Sequence, residues 1–474
     1  MIRFFSTRPV MPLRPFLYSA IFLALTSSST RAETINYDEH IKPIFRQHCL
    51  KCHGDDKQKA DLNLQNYGAA LKGGSGGETL VAGRSSRSIL FQSITDPDED
   101  LRMPPNKPPI PEDQIEMIQK WIDSGLRESS ESLSMLKERD TSFKPTATSG
   151  NNRPETPAMP ENWPELKQPE TENPLPVLAM DTSAWAPLVA VADQEQVKLI
   201  NTESGELLGR LPFPEGVPNV IRFSRDGSVL MVAGGRPVES GKVVLYDVTS
   251  GERLTAVGDE VDAVLAADLS PNQKLIALGG SGKVVKVYST VDGTLQYKLE
   301  KHTDWITSLA FSPDGKTLAS ADRAGGLHLW NAESGGITLS LLEHKQSIRA
   351  IDWRPDSKIL ASVAEDGKAI WWDVSDGFPA YNKSDIHTPK RPKGTYGLIP
   401  NGVLAARFSP EGYLATTGRD MTVQIWNPDG KLEKKIPVEG GLPLSTAMAF
   451  DQSCVITGTV SGEVQFERDV ISKQ

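Results

Sequence analysis

The sequence predicts a multidomain chain in which a small all-α domain precedes a larger all-β domain of seven repeated units. Three observations carry this expectation. A strand-ending residue recurs at intervals of 40 to 54 positions from Ile200 onward. Two amphipathic helical patterns bracket a cysteine–histidine motif within residues 33–127. Between these regions, 128–162 is rich in Ser, Thr, Pro and Glu and poor in apolar periodicity, the signature of a flexible, partly extended linker. A chain of 474 residues is too long for one ordinary core. Its 38% apolar and 24% charged residues are those of a soluble globular protein.

The formal charge of −10 argues against nucleic acid as a partner, because no basic stripe is present to track phosphates. Three cysteines cannot build a disulfide framework. Residues 1–32 read as a secretory signal peptide. Arg3, Arg8 and Arg14 supply a positive start, an apolar run follows to Leu25, and Thr30-Arg31-Ala32 offers small residues at a cleavage site. The run is short of the ~20 residues a spanning helix requires, so no membrane span is expected in the mature chain. The expected location is the periplasm or another extracytoplasmic space.

The repeat occupies 163–474. Its strand-ending residues are Ile200, Tyr246, Tyr288, Trp330, Trp372, Trp426 and Phe466, spaced 46, 42, 42, 42, 54 and 40. A second marker keeps the same phase at Phe223, Leu269, Phe311, Trp353 and Phe408, each followed by a turn sequence such as Ser-Pro-Asp-Gly. A period of ~40–45 residues with four short strands per unit is that of β-propeller blades, and seven markers imply seven blades. The chain ends shortly after the third strand of the last blade, so Trp163 to Glu172 is expected to supply its outer strand. The extra length between Trp372 and Trp426 falls around Lys383 to Asn401. There His387, Lys390, Arg391 and Lys393 form a basic insertion, which reads either as a docking surface or as an ordinary solvated hairpin extension.

Leu329-Trp330-Asn331, Trp371-Trp372-Asp373 and Ile425-Trp426-Asn427 resemble the strand-ending dipeptide of WD-repeat propellers. Asp366 and Asp420 match that family's turn aspartate, and His302 and His344 its histidine between blades. Asp322 is displaced by two residues, which predicts an altered cluster in that blade.

The chemistry-bearing motif is Cys49-Leu50-Lys51-Cys52-His53, the C-x-x-C-H attachment signature of c-type haem. On a helix end, two thiols at this spacing reach the two vinyl groups on one porphyrin edge, and the adjacent imidazole becomes the proximal iron ligand. A thioredoxin-like pair would need a βαβ setting, and a zinc site would need further ligands, of which His40 and His48 are the nearest. Tyr37 to Gln47 reads as a helix with Ile41, Ile44 and Phe45 on one face, at a cost from Pro43. Pro111 to Leu126 reads as a second, with Ile115, Ile118, Trp121 and Ile122 as its stripe and Gly125 as its stop. Between them, Met103 in the Pro-stiffened Arg102-Met103-Pro104-Pro105 is the leading sixth ligand, a histidine or an open site being the alternatives. Arg84 and Arg87 are candidate partners of haem propionates. Asp96, Asp98, Glu99 and Asp100 are an acidic run that reads as a solvated loop, and Cys454 is a buried apolar residue.

Gln47-His48-Cys49-x-x-Cys52-His53-Gly54 is followed by Ala60-Asp61-Leu62, Gly83 and Ser88-x-Leu90. Then come Met103-Pro104-Pro105, Pro111-Glu112-x-Gln114-Ile115 and Trp121-Ile122-Asp123-x-Gly125. Together, over 35–127, these resemble the planctomycete-type cytochrome c domain, whose members are often fused to WD-repeat domains. The resemblance implies one covalent haem c, with His53 as proximal and Met103 as distal ligand. The expected function is that of an exported electron-transfer cytochrome whose propeller docks a redox or scaffold protein, a carrier rather than an enzyme. The alternatives are a redox enzyme with a second centre in the propeller and a haem-based sensor or scaffold.

Overall fold

The computed structural model describes residues 35–471 apart from 76, 78, 84, 86–87, 130–131, 133–142, 146–152, 162, 164–174 and 389–401. The expected signal peptide, Arg84, Arg87, Lys390, Arg391 and Lys393 lie outside the described residues. The chain divides into two compact units, 1–138 and 139–474.

In the first unit a π-helical turn, Tyr37–Ile41, leads into α1, Lys42–His48. Pro43 explains the junction. It has no N–H to give an α-helical ladder, so it sits in the first turn of α1, and the preceding turn closes with the wider Lys42 N–H to Tyr37 carbonyl bond. The Asn36 side chain caps this entry by accepting the Glu39 N–H at 2.9 Å. Next come α2, Leu50–His53, α3, Tyr67–Lys72, and α4, Ile89–Thr95. The last helix, α5, spans Glu112–Asp123, with Glu112 and Asp113 at its positive end and Gly125 at φ +93° just beyond it.

Ile118, Trp121 and Ile122 of α5 are buried against Tyr37, Ile41 and Phe45. Tyr37 and Phe45 stand 5.9 and 6.2 Å from the Trp121 ring. The ends of the unit are tied by Tyr37 N–H to Arg127 O (2.8 Å) and Asp38 N–H to Glu128 O (3.0 Å).

The second unit is a seven-bladed β-propeller. Blades 1 to 6 are four-stranded antiparallel meanders over 180–212, 217–260, 266–299, 306–341, 348–383 and 403–437. Blade 7, 443–468, has three strands among the described residues. Six of the seven strand-ending markers occupy one register position, and Phe466 lies one residue short of it, where Glu467 opposite Val455 takes the place. Ile200, Tyr246, Tyr288, Trp330, Trp372, Trp426 and Phe466 pair across to Val189, Leu230, Ile276, Leu318, Leu360, Leu414 and Ile456. Each marker's partner is an apolar residue of the second strand, so the repeat seen in the sequence is a packing repeat.

Blade 7 lies directly beside blade 1. Val177 N–H donates to Thr459 O (3.0 Å), Ser445 Oγ to Val177 O (2.9 Å) and Thr182 Oγ1 to Met448 O (2.7 Å). Of the segment expected to close the ring, Trp163 to Glu172, only Trp163 is described, and 164–172 lie outside the described residues. Trp163 packs on blades 1 and 2, with its indole N–H donating to Thr249 O at 3.0 Å. Gly209 makes the slot for that indole, since a Cβ there would lie 2.5 Å from the ring. Glu161 N–H also bonds Thr249 O, and Phe143 is buried in the core of blades 2 and 3. Parts of the stretch read as linker therefore lie fixed on the propeller.

Candidate functional site

The motif sits where α1 hands over to α2. Cys49 joins the two helices, and its carbonyl accepts the N–H groups of both Cys52 and His53 at 3.0 Å. One turn therefore gathers both thiols and the imidazole. Gly54 ends it, because a Cβ there would lie 2.6 Å from the Leu50 carbonyl oxygen. The His53 carbonyl then accepts Leu64 N–H at 2.7 Å, which anchors the turn to the chain leaving it.

Three properties fit these residues to a covalently attached haem. Both thiols are unpaired and half-buried. Cys49 packs on the apolar core beside Leu50 and Leu62. The His53 Nδ1 is buried with no hydrogen-bond partner among the described residues, an orphan that a folded chain tolerates where a ligand-bearing ring belongs. The competing readings fare worse. Burial pushes the Cys49 thiol up to about 12 against the pull of Lys107, the opposite of the depressed value an attacking thiol needs. His48 Nε2 is hydrogen-bonded to Gln114 at 3.0 Å and His40 Nδ1 to the Asn36 N–H at 3.3 Å, so neither joins the thiols in a zinc set.

Met103 lies on the segment between α4 and α5. Its N–H bonds the Ser93 carbonyl of α4 at 2.8 Å, and its side chain is 40% exposed. Lys107, four residues on, is close enough for its charge to act on Cys49, so this segment runs toward the motif. Met117 packs in the core. The acidic run is exposed and organised by its own turns, Asp98 N–H to Asp96 and Asp100 N–H to Asp98.

In the propeller, three blades carry the same buried cluster. His302 Nδ1 meets Asp322 at 2.9 Å and its Nε2 meets Ser320 at 2.6 Å, while Trp330 Nε1 donates to the same Ser320 at 2.7 Å. His344, Asp366, Ser362 and Trp372 repeat this in blade 5. His387, Asp420, Thr416 and Trp426 repeat it in blade 6. Two expectations are corrected here. Asp322 occupies the register position held by Ala364 in the next blade, yet its carboxylate reaches the histidine, so the cluster of blade 4 is intact. His387 belongs to a buried cluster and not to an exposed basic surface, being 1% exposed.

Sequence reasoning missed a ring of charges in the central channel. Residues just before the inner-strand aromatic or leucine face the axis: Asp181, Arg222, Asp268, Asp352 and Arg407. The Asp181, Asp268 and Asp352 carboxylates each accept an N–H from the next blade, those of Phe223, Phe311 and Phe408. Arg407 bridges Asp181 (2.6 Å) and Asp352 (3.2 Å). Burial works against the Arg407 charge, and the two carboxylates more than offset it, holding the guanidinium protonated. Arg222 and Arg407 line a cavity of about 250 Å³ on one side and one of about 570 Å³ on the other, so this ring divides the channel. The signal was present as a charged residue immediately before four of the five phase markers, Phe223, Leu269, Trp353 and Phe408, with Ala310 before Phe311.

Residues 49–107 match the family described as planctomycete cytochrome C. Residues 293–331, 335–373 and 393–427 match the WD domain, G-beta repeat. The chain thus carries a segment similar to planctomycete cytochrome C and a seven-bladed propeller with repeats similar to the WD domain. The matched repeats are blades 4 to 6, the three with the complete histidine cluster. The other blades of the WD propeller keep the register without it. No curated protein matches the chain. A solved structure titled "Crystal Structure of Mitotic Checkpoint Complex" contains a chain 22% identical, with a TM-score of 0.53, covering 67% of this chain and 97% of that one. At that identity the likeness shows the fold alone. No group of three or more metal-ligating side chains occurs among the described residues, and no described helix is long and apolar enough to cross a membrane.

Proposed function

We propose that this protein is an exported, extracytoplasmic cytochrome that carries one covalent haem c on a small all-α domain and uses its WD propeller to dock a redox or scaffold partner. One observation carries the reading: unpaired Cys49 and Cys52 and the orphaned ring of His53 share a single turn inside the cytochrome c match. Cys49 and Cys52 would hold the group through their sulfurs, His53 would ligate its iron, and Met103 would take the opposite position. Haem bound in this way takes up and releases one electron. The chain's own residues set the conditions. The core of α1 and α5 shields one side from water, the Ser93–Met103 bond fixes the backbone of the ligand loop, and a thioether ligand favours the reduced ion and raises the potential. An iron held by both His53 and Met103 would leave no ligand position for substrate, which supports transfer over catalysis.

The test is the optical spectrum of the full chain made in a host with the haem-attachment machinery. One covalent haem per chain and a thioether-to-iron charge-transfer band are expected, the band disappearing in Met103→Ala. Ferrous wild type is expected to refuse carbon monoxide, and the variant to bind it. A colourless protein with both thiols free refutes the proposal.

A further inference from the structure

The larger cavity, about 570 Å³, is lined by all seven blades, and on blades 4 and 5 its lining includes Trp305, Arg323, Arg349 and Glu365. Trp305 is 42% exposed there, its carbonyl accepting Arg323 N–H at 2.9 Å while the Arg323 guanidinium lies 5.2 Å from its ring centre. The next two blades use the same turn position differently. Glu365 and Arg419 sit where Arg323 does, each backbone N–H bonding the blade's entering strand at Ser347 O and Gly402 O. Arg349 and Arg419 both stand 3.9 Å from Glu365, beyond hydrogen-bond reach, so two guanidiniums share one carboxylate loosely. The Arg419 Nε is buried and has no partner among the described residues. Arg323, Arg349 and Arg419 stand on one rim with Glu365 and Asp304, three positive charges against two negative on a chain of net −10. Asp304, whose carboxylate accepts the Trp305 N–H, and Arg419 are both outside the cavity lining.

We propose that this rim docks an acidic segment of a partner protein, its carboxylates seated on Arg349 and Arg419 and an apolar side chain on the Trp305–Arg323 pair. The inference rests on the docking role proposed above and gives it a place and a chemistry. Carboxylates suit guanidinium forks, and Trp and Arg dominate binding energy where they cluster. The net-negative remainder of the protein repels an acidic segment, which directs it to this rim. A nucleic-acid strand is disfavoured because three guanidiniums make no continuous phosphate track.

The test is fluorescence anisotropy on the full-length haem-loaded protein with a labelled peptide of repeating Glu-Glu-Leu, against the same peptide with Gln for Glu. The acidic peptide is expected to bind at least ~10-fold tighter than its neutral twin, and Trp305→Ala and Arg349→Glu each to weaken it by ~10-fold. Phe378→Ala, at an exposed site on the outer strand of blade 5, is expected to change nothing. Equal binding by wild type and both rim variants overturns the rim while leaving docking by another face intact. Equal binding of the two peptides, or none of either, overturns the acidic chemistry. Self-association abolished by Trp305→Ala overturns it in favour of a second copy. Haem content, read on the same samples, separates these failures from failure of the electron-carrier reading.

Discussion

The cluster of blade 6 gives a stability prediction whose size follows from its contacts. The Asp420 carboxylate is 4% exposed and accepts from His387 Nδ1 at 2.7 Å, Lys435 Nζ at 2.7 Å and Thr422 Oγ1 at 2.8 Å. Asp420→Asn keeps the shape, removes the charge and turns one acceptor into a donor aimed at donors. A hydrogen bond to a charged group contributes about 1.5–3 kcal/mol. Lys435 is half exposed and regains water, so most of the loss falls on the fully buried His387. The expected cost is about 3 kcal/mol, at the low end of what breaking a buried pair costs. That corresponds to a fall in Tm of about 6 °C.

Denaturant unfolding followed by tryptophan fluorescence is the assay, since Trp426 donates to Thr416 in the same cluster. Lys435→Met should cost less than about 1 kcal/mol, because that end is solvated. The pH dependence has a definite sign. Burial opposes the Asp420 charge, but His387 and Lys435 outweigh it and hold the carboxyl well below the usual range. Its contribution is therefore complete above the unfolded value of about 3.9 and is lost as acid protonates the folded group. The gap between wild type and Asp420→Asn should be flat from about pH 8 to 5 and shrink below about pH 4. A loss under about 1 kcal/mol, or a gap that widens in acid, would refute the assignment of blade 6 stability to this carboxylate.

Three further outcomes follow from buried groups. Arg407→Met should cost about 3–5 kcal/mol in denaturant unfolding by stranding Asp181 and Asp352, and Asp181→Asn on top of it should recover part of that loss. His328 is held down to about 4, first by burial and then by His302, so the unfolded chain binds the extra proton below about pH 6.5. Stability should fall by at most about 3 kcal/mol as pH drops from 6.5 to 4, and His328→Leu should flatten that slope, with the His328 ring titration in NMR checking the value. Gly209→Val should eject Trp163 from its slot, read as faster proteolysis near residue 163 with the blades' unfolding midpoint little changed.

The seven blades were legible because six of the seven markers sit at one register position and the seventh lies one residue away, and local pairing writes itself into local sequence. The first and last helices of the first unit were legible from their apolar stripes, with Pro43 costing a π-turn where a single helix was expected, while Tyr67–Lys72 and Ile89–Thr95 were not called. Asp322 misled because the cluster depends on where the carboxylate arrives, not on which turn residue bears it. His387 misled because its partners, Asp420 and Thr416, are 33 and 29 residues away, and its basic neighbours gave it a surface-like setting. Trp163 was assigned to blade 7 by strand arithmetic. Its place was decided by a missing side chain at Gly209 and a carbonyl at Thr249, neither of which has a sequence pattern. The channel ring was readable one residue before four of the five phase markers, but only the ring's closure shows that these residues meet one another and Asp181.

The histidines separate the chemistry of the two units. His302, His344 and His387 each engage both ring nitrogens within their clusters, and His328 bonds Ser340 while stacking at 4.8 Å on His302. An imidazole bound at both nitrogens ligates a metal only by giving up one of those bonds, which at Nε2 is the hydroxyl of Ser320, Ser362 or Thr416. A histidine-ligated second redox centre in the propeller would thus break a bond within these clusters. In the first unit the relation is reversed. His53 keeps a buried nitrogen without a partner, and Cys49 and Cys52 keep free thiols beside it. The groups still available to chemistry lie at the turn between α1 and α2, and those available to recognition lie at the propeller's cationic rim, which is why a carrier with a docking platform accounts for both units.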